Sequence, residues 1–189
     1  MDREQSDQYL IAAYLSGDQK SLEFLIGRYL RPVYSFVYRY VGRPQEAEDI
    51  TQEVFVRAWR SLKKFDQSKS FKTWVFTIAK NASLDFLKKK KTVLFSELEN
   101  RESGTRFEEK LADSSPLPPE LLEERDKVQE LNAALSKLAL SDRLLLFLRY
   151  NDHFTFREAA EALGEPLNTV KSRHRRAIFR LKRFLEKKP

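Results

Sequence analysis

The side chains best suited to chemistry crowd into one short segment, and most of them carry positive charge or hydrogen-bonding groups. They are Asn168, Thr169, Lys171, Ser172, Arg173, Arg175 and Arg176. Ammonium and guanidinium groups bind phosphate oxygens, and Arg also donates two hydrogen bonds to the edge of a guanine in the major groove. A solvated helix surface has a similar composition, so the surrounding elements decide between the two interpretations.

Two short helices around a tight turn are predicted to position this segment. Thr155 and Glu158 have the spacing of a capping box, Gly164 suits the end of the first helix, and Asn168 is a good cap for the second. This pattern predicts a helix-turn-helix, in which the second helix enters the major groove of DNA.

One side of the second helix is predicted to pack inward, because apolar residues recur there at helical spacing. That side carries Val170, His174, Ala177, Leu181 and Leu185. We interpret His174 as a packed core histidine rather than a base contact.

Composition excludes several classes of protein. The 189 residues are 41% apolar and 33% charged, with five Gly and no Cys, which is typical of helical proteins and rules out disulfides and thiolate sites. No apolar run approaches the roughly 18 residues of a membrane span, and the first ten residues are too polar for a signal peptide. We therefore expect a cytoplasmic protein without membrane insertion.

His153 and His174 are the two histidines of the sequence, and no metal-binding, phosphate-loop or nucleophile motif occurs. We therefore expect no metal, no cofactor and no enzyme activity.

The net charge of +7 is unevenly distributed along the chain. Residues 1–92 carry 17 basic and 11 acidic groups, residues 93–126 carry 4 and 10, and residues 127–189 carry 14 and 7. Two basic modules therefore flank an acidic connector. This raises the expectation of a polyanionic partner without naming it.

The periodicity predicts an all-α fold of two small helical domains, 1–92 and 127–189, joined by a flexible acidic linker, 93–126. Three prolines near the end of that linker oppose a continuous helix. The predicted helices are Asp7–Ser16, Asp18–Val41 with a kink at Pro32, Pro44–Lys63, Phe71–Lys90, Leu121–Lys137, Ser141–Tyr150, Thr155–Leu163 and Asn168–Lys187.

The third helix has a face that core packing does not explain. Its inward stripe is Ala47, Ile50, Thr51, Val54, Ala58 and Leu62. The opposite side carries Asp49, Gln52, Glu53 and Val56. An aliphatic residue among carboxylates and an amide favours a protein-binding face, although helices often expose a single aliphatic residue.

The fourth helix combines aromatic, amide and cationic residues on one flank. Phe71, Val75, Ile78, Ala79, Ala82 and Phe86 are predicted to face the core. Trp74, Thr77, Asn81, Leu84 and Lys88 form the second stripe. Rings stack on unpaired bases while cations hold phosphates, so this flank and the preceding loop suit single-stranded DNA. A tryptophan at such a position is also often a core residue.

In three segments the sequence resembles the extracytoplasmic-function (ECF) sigma factors, the bacterial group that keeps only two domains of the sigma family. AEDITQEVFVRAW resembles the family's clamp-binding segment, and FKTWVFTIAKNASLDFLKKKK its promoter-melting segment. LALSDRLLLFLRY followed by FTFREAAEALGEPLNTVKSRHRRA resembles its C-terminal helix-turn-helix. The segments occur in the family's order and flank a linker.

The resemblance implies partners and roles for the site residues. The partners are core RNA polymerase, through its β′ clamp helices and β flap, promoter DNA and an anti-sigma factor. Polymerase-binding residues are Asp49, Gln52, Glu53 and Val56. Residues for the −10 element and DNA melting are Phe65, Lys69, Ser70, Phe71, Trp74, Lys80, Asn81 and Lys88. Residues for the −35 element are Asn168, Thr169, Lys171, Ser172, Arg173, Arg175 and Arg176. Asn168 stands where the family usually has Gly.

The length of the linker suggests how the domains cooperate. The two promoter elements lie roughly 60 Å apart, whereas a flexible coil of the linker's 34 residues averages about 32 Å and extends to at most about 110 Å. We therefore hypothesise that the free protein is more compact and binds promoter DNA poorly until polymerase holds the domains apart.

Two other functions remain open at this stage. A helix-turn-helix regulator that acts without polymerase explains the cations but leaves the third-helix face and the Trp74 stripe without a role. A general single-strand or RNA-binding protein explains the charge, and it predicts salt-sensitive binding without sequence preference.

Overall fold

The computed structural model describes residues 5–97 and 119–186, with side chains over 5–90 and 127–186. The helices are α1 (Asp7–Leu15), α2 (Gln19–Val41), α3 (Pro44–Ser61), α4 (Phe71–Glu97), α5 (Pro119–Ser136), α6 (Leu140–Tyr150), α7 (Phe156–Leu163) and α8 (Leu167–Glu186). A short 3-10 helix, Leu62–Lys64, follows α3. The described residues contain no strand. The all-α prediction is confirmed.

Local sequence signals set several helix ends. The Asp18 carboxylate accepts from the Lys20 amide at 3.1 Å at the start of α2, and Gly42 ends that helix with a φ of 72°. Pro44 occupies the first turn of α3, where its missing N–H has no intrahelical role. Helix α2 runs through Pro32.

Helix α4 is longer than predicted, ending at Glu97 rather than Lys90. Residues 71–103 contain neither Gly nor Pro, so no backbone signal interrupts the helix where the apolar periodicity fades. Helix α5 begins at Pro119, because proline fits the first helical position. The rest of the predicted linker, residues 98–118, lies outside the described residues.

In the first half of the chain, α1, α3 and α4 pack against α2. The predicted inward stripe of α3 is confirmed, with every member no more than 4% exposed. On α4, Phe71, Val75, Ala79 and Ala82 are buried as predicted, whereas Ile78 and Phe86 are only half-buried. Phe76, which was not predicted, is fully buried, and its ring packs against both Phe36 of α2 and Phe154 of the second half.

The second half, α5 to α8, shares its core with the first. One continuous cluster of buried residues joins α2, α3 and α4 to Leu145, Leu148 and Phe154, and α4 packs against α7. A smaller cluster of Leu138, Leu146 and Ala177 lies within the second half. The two halves therefore lie against each other, and the exact domain boundaries stay a prediction.

Candidate nucleic-acid and polymerase interfaces

The turn between α7 and α8 contains the predicted capping box and left-handed Gly164, but α8 begins at Leu167, so Asn168 lies in its first turn and is not its cap as predicted. The Thr155 hydroxyl accepts from the Glu158 amide at 3.2 Å, and the Glu158 carboxylate accepts from the Thr155 amide at 2.7 Å. These backbone and side-chain hydrogen bonds lower the pKa of Glu158 against the opposing effect of burial. Gly164 ends α7 in the left-handed conformation, with a φ of 64°. Two rigid helix ends thus fix the direction in which α8 leaves the turn.

The outer side of α8 presents the predicted DNA-binding residues. Exposed are Asn168, Lys171, Ser172, Arg175 and Arg176, while Thr169 is half-buried. Val170 and Ala177 are fully buried on the opposite side. The helix therefore separates a packed face from a cationic face.

Arg173 differs from the other cations of α8. It is half-buried, and its guanidinium donates to the Glu165 carboxylate at 2.7 Å. Because Glu165 lies in the turn before α8, this ion pair ties the helix to its turn. In this structure Arg173 is thus engaged within the protein.

His174 lies in an aromatic pocket rather than on the cationic face. Its Nε2 is 3.1 Å from the Tyr150 hydroxyl, and its ring stacks on the Tyr150 ring. The Phe156 ring meets it edge-on, with the two ring centroids 5.0 Å apart. Burial, together with the nearby Arg149 cation, lowers the pKa of His174. These contacts support its interpretation as a packing residue.

Sequence analysis missed Phe179, which is 63% exposed one turn beyond the predicted DNA-binding residues. With Arg175, Arg176 and Arg180 it lines an open depression of about 290 Å³. Phe179 follows Arg176 by three residues and Arg175 by four, and this spacing places the three side chains next to one another on a helix surface.

The predicted protein-binding face of α3 is fully at the surface. Asp49, Gln52, Glu53 and Val56 are all exposed, and Val56 keeps 42% of its surface accessible. The Glu53 carboxylate accepts from Arg57 at 2.5 Å, one turn along the helix. The face therefore presents the carboxylates of Asp49 and Glu53, the latter paired with Arg57, beside the aliphatic side chain of Val56.

Trp59 extends this face by one more turn and was also missed. It is 50% exposed, and its indole N–H donates to the Tyr14 hydroxyl at 2.7 Å. The contact joins α3 to α1 and fixes the ring at the surface. The spacing of three residues from Val56 places both side chains on the same side of the helix.

The loop before α4 is built around aromatic contacts. The Phe65 ring centroid lies 4.7 Å from that of Trp74 and 5.9 Å from that of Phe71. Phe71 is buried, while Phe65 and Trp74 are half-buried. Phe71 thus forms the support of the cluster, and the other two rings reach its surface.

Hydrogen bonds shape the rest of that loop. The Asp66 carboxylate accepts from the Ser68 amide at 3.0 Å and the Ser68 hydroxyl at 2.7 Å, which lowers the pKa of Asp66. The Ser70 hydroxyl accepts from the Thr73 amide at 3.2 Å at the start of α4, and Lys69 is exposed. The loop therefore holds a defined shape with Lys69 at its surface.

The three other residues predicted for DNA melting lie on two faces of α4. Asn81 and Lys88 are exposed and follow Trp74 at intervals of seven residues, so they share its face. Lys80 is half-buried and points toward the second half of the chain, where its Nζ donates to the Leu163 carbonyl at 3.1 Å. The structure therefore brings Asn81 and Lys88 to the Trp74 face and leaves Lys80 apart from it.

Comparison with known proteins identifies both halves. Residues 25–93 match the family Sigma-70 region 2, and residues 128–186 match the family Sigma-70, region 4. The chain is 32% identical over 171 residues to the ECF RNA polymerase sigma factor SigW of Bacillus subtilis, covering 89% of this chain and 91% of the relative. The chain belongs to the ECF RNA polymerase sigma factors. It is also 30% identical to the ECF sigma-E factor of Escherichia coli, over all of this chain and 96% of that one.

Solved structures show the same fold for this sigma factor. RpoE of Bartonella quintana, crystallised with the anti-sigma factor NepR, matches with a TM-score of 0.68 at 22% identity, over 90% of this chain and 99% of that one. CnrH, in complex with the cytosolic domain of CnrY, matches with a TM-score of 0.67 at 23% identity, over 98% of this chain and all of that one.

An ECF sigma factor binds core RNA polymerase and directs transcription initiation at specific promoters, and regions 2 and 4 of the family are both present. Over residues 5–97 and 119–186, no helix is long and apolar enough to cross a membrane. Nor do three or more potential ligands cluster around a metal site in the same parts of the chain.

Proposed function

We propose that this ECF sigma factor binds core polymerase and promoter DNA through the two exposed surfaces described above. Asp49, Gln52, Glu53 and Val56 bind the β′ clamp helices of core polymerase, and the cationic side of α8 binds the −35 element. The observation that carries this proposal is the opposite chemistry of the two surfaces, which are acidic with an aliphatic residue on α3 and strongly basic on α8.

On α8, the proposal assigns base contacts and phosphate contacts to different positions. Lys171, Arg175 and Arg176 lie exposed on the first three turns, which is the part of a recognition helix that reaches into the major groove. Asn168, Thr169 and Ser172 bond to phosphates or base edges nearby. Arg173 fixes the helix to its turn through Glu165 and joins the interface when that pair opens.

At the −10 element, the aromatic cluster and the Trp74 face act together. Phe65 and Trp74 present ring surface to an unpaired base, supported from below by Phe71. Lys69, Ser70, Asn81 and Lys88 hold the backbone of the separated strand. Lys80 belongs to this set only when it is free of the Leu163 carbonyl.

The proposal extends to the domain boundaries, the partners and the location. The domains are 1–92 and 127–189, the acidic segment 93–126 connects them inside the polymerase, and the second domain also contacts the β flap. An anti-sigma factor regulates the protein, as the relative crystallised with NepR suggests. The protein acts in the cytoplasm and has no catalytic centre of its own.

Transcription in vitro tests the proposal directly. Purified bacterial core polymerase is given a fragmented genomic DNA library with and without this protein. Discrete start sites that appear only with the protein are expected, and they define both promoter elements. Absence of binding to core polymerase would reject the proposal in favour of a helix-turn-helix regulator that acts alone.

A further inference from the structure

Phe179 stands apart from the other apolar residues near the end of α8. Its side chain is 63% exposed. Ile178, Leu181 and Phe184, by contrast, pack against the small buried cluster of the second half. A single exposed apolar residue is common on protein surfaces, so the position of Phe179 decides whether its ring has a function.

The helical register places Phe179 in the middle of the cationic side of α8. Side chains at successive intervals of four, three and four residues lie in one line along a helix. The line that ends at Phe179 contains Asn168, Ser172 and Arg175. Ala177, on the opposite side, is fully buried. The ring therefore lies in line with residues that the proposed function places against DNA.

The length of α8 allows Phe179 to reach the same groove as these residues. Lys171 and Phe179 are eight residues apart, which is about 12 Å along a helix axis. The major groove of B-DNA is also about 12 Å wide. When Lys171 lies at one edge of the groove, Phe179 therefore reaches the base pairs near the opposite edge.

Three guanidinium groups surround the ring of Phe179. Arg175, Arg176 and Arg180 line the open depression with it. Arg180 is held at the rim, because it donates to the Asp142 carboxylate at 3.1 Å and Asp142 is only 5% exposed. Cations gathered on one surface repel one another, and an anion between them relieves that repulsion. The charge around the ring is therefore complementary to a polyanion.

The side chain of Phe179 carries no hydrogen-bonding group, which limits what it recognises in DNA. In the major groove the bases present hydrogen-bond donors and acceptors, and thymine adds its apolar C5 methyl group. Contact between a phenyl ring and this methyl group removes apolar surface of both from water. Of the groups in the groove, the thymine methyl is thus the one that matches Phe179.

We propose that Phe179 contacts the methyl group of a thymine at the edge of the −35 element, with Arg180 beside it on the adjacent phosphate. This inference rests on the proposed function, which places α8 at that element. It makes Phe179 a specificity-determining residue. An A·T preference at one base pair is thereby added to the polar contacts already assigned to α8.

Promoter selection by core polymerase with this protein bound tests the preference. The library carries random sequence across the −35 element and the adjoining base pairs. The parent protein is expected to enrich A·T at one base pair at the edge of the element, and Phe179→Ala is expected to lose that enrichment alone. Phe179→Leu keeps an apolar side chain and should retain part of it. The matched control is Phe24→Ala, which removes a ring that is 66% exposed in the first half and should keep the whole pattern.

Removal of the methyl group tests the contact itself. The enriched thymine is replaced by deoxyuridine, which keeps the base pair and lacks only the C5 methyl. Binding of the parent complex is expected to weaken about 4-fold, the value for one methyl-sized apolar group, whereas the Phe179→Ala complex loses nothing further. No loss in the parent, or an equal loss in both proteins, would overturn the thymine contact.

Arg176→Ala separates failure of this contact from failure of the proposed function. Loss of −35 selection in Arg176→Ala, with the parent pattern intact in Phe179→Ala, would overturn the thymine contact and leave α8 at the −35 element. Unchanged selection in both variants would reject the proposed role of α8 as well. Weaker binding of Phe179→Ala to core polymerase, with the parent pattern of selected sequences, would assign the ring to a protein surface instead.

Discussion

Lys80 Nζ lies 3.1 Å from the carbonyl oxygen of Leu163, so a lysine of the predicted melting helix closes the end of the first helix of the helix-turn-helix. Gly164 follows at a φ of 64°, and a Cβ added there would lie 3.0 Å from the same Nζ. The hydrogen bond and the glycine therefore lie in one tight contact between the two halves.

Replacing Gly164 with Ala is expected to lower the free energy of unfolding by about 1–2 kcal/mol, because an L-residue is strained at this φ. The same loss is expected in a Lys80→Ala background, since the flexible Lys80 side chain moves aside while the strain remains. Denaturant unfolding of the four proteins measures both values. Gly27→Ala is the control, because Gly27 lies in α2 with open space around it and the change is expected to be neutral or stabilising. An unchanged free energy of unfolding in Gly164→Ala would contradict the left-handed geometry of this turn.

Joint replacement of Asp49, Gln52 and Glu53 by Ala is expected to abolish binding to core polymerase. Helical content and unfolding temperature stay near those of the parent protein, because all three side chains are exposed. The matched control, Glu23→Ala with Gln129→Ala and Glu161→Ala, removes two carboxylates and an amide from exposed positions elsewhere. Retained polymerase binding by the first variant, measured by fluorescence anisotropy, would reject the α3 face.

Replacing Arg176 with Ala is expected to weaken binding to the −35 element by about 5- to 150-fold, the equivalent of about 1–3 kcal/mol for a base contact. Binding is measured for the promoter-bound polymerase complex on matched and scrambled elements. Arg183→Ala removes an exposed cation from the last turn of the same helix and serves as the control. An equal loss on both DNA sequences would identify Arg176 as a phosphate contact instead.

Replacing His174 with Leu is expected to leave −35 binding within a few-fold of the parent protein, because the imidazole faces Tyr150 and Phe156. Burial, with the nearby Arg149 cation, lowers the pKa of His174 below its usual 6.5, so its contribution to stability is present above pH 6.5 and is lost as the pH falls below that value. The free energy of unfolding, measured between pH 5 and 7.5, is expected to lose the part of its pH dependence that comes from His174 in the Leu variant. A large, sequence-specific loss of DNA binding would place His174 at the bases.

Asp152 is expected to make the stability of the folded protein pH-dependent. Burial raises the pKa of Asp152 from 3.8 to about 6, against the opposing effects of Lys72 on α4, Arg39 on α2 and neighbouring His153. A raised carboxyl pKa stabilises the folded protein below pH 3.8, and this contribution is lost as the pH rises to about 6. The free energy of unfolding, measured with denaturant, should therefore contain this contribution at pH 5 and lack it at pH 7.5. Asp152→Asn should remove that difference, and a difference that persists in this variant would assign it to another group.

Local sequence signals determined the helices and the exposed side chains of the site. The capping box of Thr155 and Glu158, the left-handed Gly164 and the inward stripe of α3 all form as predicted. These features depend on neighbours three or four residues away, which a single sequence reveals directly. The Asp49 face and the cations of α8 are exposed for the same reason.

Only the tertiary structure decided which side of α4 is buried by the second half. The pattern predicted Ile78 and Phe86 in the core and did not select Phe76, which is buried against a ring 78 residues further along the chain. Lys80 was assigned to DNA by resemblance, yet its ammonium is held by a carbonyl 83 residues away. Helical periodicity identifies an apolar face but does not name its neighbour, because that choice depends on long-range packing that local spacing does not encode.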